Sequence, residues 1–265
     1  MATPYPFQDK VVTITGASRG VGLALAKYLL VRGATISISS SNADNIAAAA
    51  AELEKDFPDA KDRILSAAVN TKDLSAVAKW ITDTVARFGK IDACANVAGR
   101  EQRKLRPITA MDLDDWEDLL ATNLTGTFHC LREEMKVISE GGSIVNVGSV
   151  ASSYASAGVA GYITSKHGLI GLTKVAAFEA APRNVRVNAI CPGSINTSMM
   201  QTPFDIGEGK TWELTADNVP QLFKRFSEPE EIAAGIAFLL GDESKFVTKS
   251  SWFMDGGWME GSFSG

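Results

Sequence analysis

The chain has 265 residues, 45% of them hydrophobic, with 31 acidic and 26 basic residues giving a formal net charge of −5. That length suits one domain with a sizeable core, and the acidic balance, without a basic run, argues against a nucleic-acid partner. No stretch approaches the ~20 apolar residues that span a bilayer, so no membrane partner is expected.

In chain order, the opening residues Met1-Ala2-Thr3-Pro4-Tyr5-Pro6 lack the basic and apolar segments of a secretory leader. A short β-branched run predicts a strand over 10–15, then a helix over 21–32. Strands over 35–39, 64–69 and 91–95 alternate with helices over 42–57 and 74–88. A long helical stretch over 113–138, with one break near 109–112, precedes a strand over 143–147. A helix over 162–180 stops at Pro182, and a strand over 185–190 follows. A late helix over 229–240 and a short strand over 251–254 complete the pattern. Such alternation predicts one α/β domain over 1–265: a doubly wound parallel sheet of about seven strands with helices on both faces.

Residues 194–226 break this rhythm. They carry Met199, Met200, Phe204, Trp212, Leu214, Leu222 and Phe223 among Gly, Pro and charge. A long irregular insertion in a compact domain is usually functional, so it reads as an apolar lid over a substrate pocket, with a subunit contact as the other reading. Cys94, Cys130 and Cys191 are far apart and read as reduced thiols of a cytoplasmic protein. With only His129 and His167, and no ligand spacing, no metal site is expected.

The first strand runs into Thr15-Gly16-Ala17-Ser18-Arg19-Gly20-Val21-Gly22, and a helix follows. Glycines at a strand-to-helix turn let the backbone approach a pyrophosphate lying at the helix N-terminus. The second strand ends in Ser39-Ser40-Ser41-Asn42, where NAD-binding folds usually place an acid, and there is no acidic residue between Asp9 and Asp44. Arg19 could grip a 2′-phosphate, with Ser40 and Ser41 donating to it. NADP(H) is the expected cofactor.

Tyr162 and Lys166 share one helix face at i and i+4. A nearby ammonium favours a phenolate, so the Tyr162 pKa is expected to fall toward working pH, where the phenol can exchange a proton with an alcohol or ketone oxygen.

Together these segments resemble the short-chain dehydrogenase/reductase family over nearly the whole chain. The glycine turn is similar to the family's Thr-Gly-x-x-x-Gly-x-Gly, and Asn96-Val97-Ala98-Gly99 to its Asn-Asn-Ala-Gly. Asn123 stands in a helix at the place of the catalytic asparagine, and Ser149 precedes Tyr162 by the usual 13 residues (162 − 149). Pro192, Gly193, Ile195 and Thr197 resemble the segment beside the nicotinamide, and Asp255-Gly256-Gly257 the closing Asp-Gly-Gly. Three departures stand out: Val97 for the second asparagine, Asn70 where many relatives have an adenine-binding Asp, and Lys249 for a glycine before the last strand.

The resemblance implies that Tyr162 is the general acid in ketone reduction. Lys166 would tune it and hold the nicotinamide ribose, Ser149 would bind the substrate oxygen, and Asn123 would hold a relay water. Ser149 could instead be a plain helix cap, and Asn123 a buried structural amide. Gly16, Ser18, Arg19, Gly20, Val21, Gly22, Ser40, Ser41, Asn70, Asn96, Ala98 and Gly99 would bind cofactor, as would Tyr162, Lys166, Pro192, Gly193, Ile195 and Thr197. The resemblance also implies a homodimer or homotetramer. The expected activity is NADPH-dependent reduction of a hydrophobic ketone. Alternatives are 3-oxoacyl-thioester reduction, an NAD-linked alcohol dehydrogenase, and an inactive nucleotide-sensing scaffold.

Overall fold

The computed structural model describes residues 6–259. Its first strand, β1 (Val11–Thr15), is buried at every position, as befits a strand covered on both faces. Then come α1 (Gly20–Val31), β2 (Thr35–Ser40), α2 (Ala43–Asp56), β3 (Ile64–Ala68), α3 (Leu74–Phe88) and β4 (Ile91–Asn96). The second half holds α4 (Leu113–Leu120), α5 (Gly126–Val137), β5 (Ile138–Val147), α6 (Ala160–Ala180) and β6 (Arg186–Pro192). β7 (Phe204–Gly207), β8 (Lys210–Trp212), α7 (Pro229–Leu240) and β9 (Ser251–Met254) close the chain.

Seven strands form one sheet in the order β3-β2-β1-β4-β5-β6-β9, and each adjacent pair is parallel. One apolar core packs α1, α2 and α7 on one face of the sheet; a second packs α3, α5 and α6 on the other. The chain leaves β1 toward β2 and β3, then returns to build on β1's other side from β4. The carboxyl ends of β1 and β4 therefore flank the switch point where open α/β sheets bind ligands. Asn42, Asp73 and Asp112 cap α2, α3 and α4 by accepting first-turn N–H bonds.

Three expectations need correction. The predicted break near 109–112 precedes α4, but the helix over 113–138 also carries a π turn over Ala121–Thr125 between α4 and α5. A π insertion changes no residue type, so periodicity cannot show it. Ile138 belongs to β5, not to the helix: it pairs with Ile91, and Gly141 at φ 72° lets the strand continue past the glycines to Ser143. The insertion over 194–226 is not wholly irregular, because β7 and β8 form an antiparallel hairpin turning at Glu208-Gly209. Lys249, where the resemblance expects glycine, holds the left-handed conformation itself at φ 60°. Its N–H donates to the Val187 carbonyl at 2.8 Å, and its ammonium sits 4.4 Å from the Phe178 ring centre.

Candidate active site

A cleft of about 950 Å³ crosses the carboxyl edge of the sheet. One end is built on the glycine turn. Gly16 sits at φ 68°, and a Cβ there would come within 2.8 Å of Ala98 Cα, so this crossing of β1 over β4 requires glycine. The Thr15 hydroxyl accepts the N–H bonds of Val97 (3.0 Å) and Ala98 (3.1 Å), locking the two strand ends together. These contacts use the backbone, so Val97 serves as well as an asparagine. α1 begins here with no side-chain cap and no acid in its first turn. Its leading N–H groups and positive dipole end thus suit a pyrophosphate. Ser18 donates to Ser40 at 3.0 Å, and Arg19, Ser40 and Ser41 line the same end. Asn70 lines it too, with its side-chain carbonyl accepting from Lys72 N–H at 3.1 Å. Gly20, Val21, Gly22, Ala98, Gly99, Pro192, Gly193, Ile195 and Thr197 also border the cleft.

Asn96 does not. Its amide points into the sheet and donates to Glu134 and Asn146, both at 3.0 Å, so its expected place among the cofactor-contacting side chains is not met. The reason is strand alternation: the cleft is met by the residues after β4, whereas Asn96 is still a ladder residue paired with Thr15 and Asn146.

The middle of the cleft gathers Ser149, Tyr162 and Lys166. Ser149 follows β5 and starts a short 3₁₀ turn, accepting from Ala151 N–H at 3.1 Å. It is therefore a cap, and its hydroxyl is also close enough to the Tyr162 phenol to favour the phenolate. Lys166 donates to the Val147 carbonyl at 2.8 Å, and its Nζ lies 5.8 Å from the Tyr162 ring centre. Burial pushes the phenol well above its ordinary range, opposed in part by the nearby Ser149 hydroxyl and reinforced by the charge of Glu101. Burial also lowers the Lys166 ammonium to about 8. This direction is opposite to the expected fall of the Tyr162 pKa. The shared helix face is real, but desolvation outweighs an ammonium bonded elsewhere.

Asn123 is fully buried in the π turn behind this group. Its carbonyl accepts from Arg100 N–H (2.8 Å), and its amide donates to the Arg100 carbonyl (2.9 Å) and Ser165 Oγ (3.1 Å). A Cβ on Gly99 would stand 3.3 Å from Asn123 Oδ1 and 3.6 Å from Lys166 Nζ, so both border the same glycine. Asn123 clamps the loop after β4 and does not line the cleft itself.

The outer wall is apolar. Met199, Met200, Phe204, Trp212 and Leu214 from the insertion line the cleft together with Leu105, Val150 and Val159. Leu222 and Phe223, expected in this wall, are 61% and 65% exposed and lie outside it. Arg106 pins the hairpin, donating to the Asp205 carbonyl at 2.9 Å and pairing with its carboxylate at 2.7 Å.

Two residues carry no sequence motif. Gln102 is buried, with Oε1 accepting from Gly161 N–H (3.1 Å) and Tyr162 N–H (3.3 Å). Its amide donates to the carbonyls of Lys104 (3.0 Å) and Gly158 (2.7 Å). It caps α6, which has no side-chain cap of its own at Val159. Glu101 is the sole acidic residue lining the cleft among the described residues. Also among them, no group of three or more His, Cys, Asp or Glu could hold a metal, and no helix is long and apolar enough to cross a membrane.

Comparison with known proteins agrees with this geometry. The family model described as Enoyl-(Acyl carrier protein) reductase matches residues 16–259. The chain is 38% identical over 255 residues to the short-chain dehydrogenase/reductase aba4 of Botryotinia fuckeliana (strain B05.10), covering 96% of this chain and 98% of that one. It is 33% identical over 255 residues to the levodione reductase of Leifsonia aquatica, covering 95% and 94%. Among solved structures, carveol dehydrogenase from Mycobacterium avium in complex with NAD superposes with a TM-score of 0.85 at 27% identity, covering 95% and 98%. A nucleotide-binding turn, a Ser149–Tyr162–Lys166 group and this breadth of similarity lead to one conclusion: the chain belongs to the short-chain dehydrogenase/reductase family, oxidoreductases that use a nicotinamide dinucleotide.

Proposed function

We propose that the protein is an NADPH-dependent reductase that converts the ketone of a hydrophobic substrate, cyclic, polyketide-like or steroid-like, to a secondary alcohol. The observation that carries this reading is the gathering of Ser149, Tyr162 and Lys166 in one cleft walled by Met199, Met200, Phe204, Trp212 and Leu214. Two hydroxyls in one cleft can donate to a single substrate oxygen, which suits a carbonyl. The Tyr162 phenol carries the proton to be given to the oxygen; burial makes it a weaker acid than a free phenol, so the transfer follows the negative charge that builds on that oxygen. Ser149 stabilises that charge. Lys166 supplies positive potential at the nicotinamide end, and Asn123 shapes the backbone around it.

The dinucleotide would lie with its pyrophosphate on the Gly16–Gly22 turn, and when bound it supplies the hydride. Arg19, Ser40 and Ser41, with no carboxylate lining that end, favour a 2′-phosphate. The NAD bound to the carveol dehydrogenase neighbour supports the other cofactor. Residues 194–226 serve as the lid. Cytoplasmic residence is supported by three buried free cysteines, and a homodimer or homotetramer by exposed Phe128, Val175 and Phe178 on α5 and α6.

The test is oxidation of NADPH and of NADH with a panel of cyclic and aromatic ketones. We expect turnover with NADPH, and a loss of about 10²–10⁴-fold in Tyr162→Phe while NADPH still binds. A clear NADH preference overturns the cofactor, and near-normal turnover of Tyr162→Phe overturns the mechanism.

A further inference from the structure

The Glu101 carboxyl has no partner that explains its position. Its side chain is only 10% exposed, yet it belongs to the cleft wall, not to the core. One oxygen, Oε1, is buried and makes no hydrogen bond. The other lies 3.5 Å from the Arg103 guanidinium, a longer separation than a good charge-assisted bond. Buried polar atoms in folded proteins are nearly always paired, so a buried orphan that lines a cleft marks a place where a ligand supplies the partner. Its neighbours locate that place. Gln102, the next residue, binds the N–H groups that begin the catalytic helix, and the Glu101 charge is felt at the Tyr162 phenol. It is the one acid lining the cleft among the described residues, and the wall from the insertion carries apolar Met199, Met200, Phe204, Trp212 and Leu214.

We infer that Glu101 is a specificity-determining residue: its carboxyl binds a second oxygen of the substrate, so the preferred ketone is an apolar molecule that also bears a carbonyl or hydroxyl. This inference rests on the ketone-reduction reading and names the substrate class within it. A carboxyl suits both groups. Protonated, it donates to a carbonyl; ionised, it accepts from a hydroxyl. Burial raises the Glu101 pKa to about 7, with Arg103 opposing. Arg103 on its own loop and Tyr162 on α6 are the titratable groups acting on it.

The test compares cyclohexanone with the cyclohexanedione whose carbonyls stand opposite one another, and with the corresponding hydroxycyclohexanone. Turnover is measured in the wild type, Glu101→Ala and Glu101→Gln. In parallel, binding of the dione is followed by the fluorescence of Trp212 and Trp258, which line the cleft. We expect the ratio of kcat/KM for dione over monoketone to fall about 10- to 100-fold in Glu101→Ala, with dione affinity falling alongside. Glu101→Gln keeps a donor and an acceptor and should retain most of the dione preference. Its dione-to-hydroxyketone ratio should not change with pH, whereas the wild-type ratio should drop as pH rises through about 7. Equal losses for mono- and bifunctional ketones, or no loss in either, overturn the role of Glu101 and leave ketone reduction standing. Selective dione binding without turnover of any ketone has the opposite meaning: recognition holds and the reductase reading falls. Neither binding nor turnover overturns both.

Discussion

Gln102 uses both ends of its amide, accepting from two N–H groups of α6 and donating to two loop carbonyls. It therefore sets the height and tilt at which Tyr162 enters the cleft, without touching the reacting oxygen. Gln102→Ala should leave those N–H groups without an acceptor, at a cost of about 1–3 kcal/mol. Misplacing the phenol should lower kcat by about 10- to 100-fold. KM for the dinucleotide should change little, because the glycine turn is untouched. Gln102→Glu restores the acceptor at a helix N-terminus and should recover part of kcat. Steady-state kinetics checks both, and an equal rise in both KM values with kcat intact would refute the positioning role. No motif reveals Gln102, because its partners lie 59 and 60 residues away and only the fold brings them together. Ser149, Tyr162 and the glycine turn were legible for the opposite reason: their chemistry is written in local spacing. The direction of the Tyr162 shift was not legible, since spacing carries no information about burial.

At the scale of elements, the strands and helices could be read because buried parallel strands and amphipathic helices leave distinct periods. The π turn at Asn123 and the early start of β5 could not be, since both depend on neighbours and not on residue type. The β7–β8 hairpin is held to the loop after β4 by Leu105 N–H to the Asp205 carbonyl (2.8 Å), Asp205 N–H to the Arg103 carbonyl (2.9 Å), and Arg106. The Arg106–Asp205 pair is half-exposed and so contributes modestly. Arg106→Ala should loosen the apolar wall and raise KM for the ketone by up to about fivefold. Turnover at saturation should persist, because Ser149, Tyr162 and Lys166 stand on other elements. A ketone titration at fixed dinucleotide measures this, and a kcat effect larger than the KM effect would show that the hairpin shapes the chemistry directly.

Across the whole molecule, two acids raised by burial, Glu101 and Glu134, link stability to pH. Glu134 on α5 is fully buried beneath the sheet, bonded by Asn96, with one oxygen unpaired. Burial raises its pKa to about 7 from 4.5. Between those values the folded chain holds a proton that the unfolded chain has released, so stability falls as pH rises. The contribution present below 4.5 is lost as pH passes about 7, an amount on the order of 3 kcal/mol. Glu134→Gln should remove its share of this slope and leave that of Glu101. Urea unfolding of both proteins across that window checks it, and parallel stability curves would show that Glu134 is ionised in the fold.

The loop over 97–107 meets each of these scales. Thr15 holds its start, Asn123 grips Arg100, Gln102 ties it to α6, and its end joins the hairpin. It has no regular structure, yet it is the junction through which nucleotide turn, catalytic helix and outer wall keep their spacing. Such a segment behaves as a cassette. Exchanging 103–106 with a relative's residues would re-cut the substrate wall, while the anchors at 97–98, 100 and 102 hold the chemistry in place. On the proposed reading, substrate preference can thus shift in this stretch, where Leu105 lines the cleft, without the catalytic centre being rebuilt.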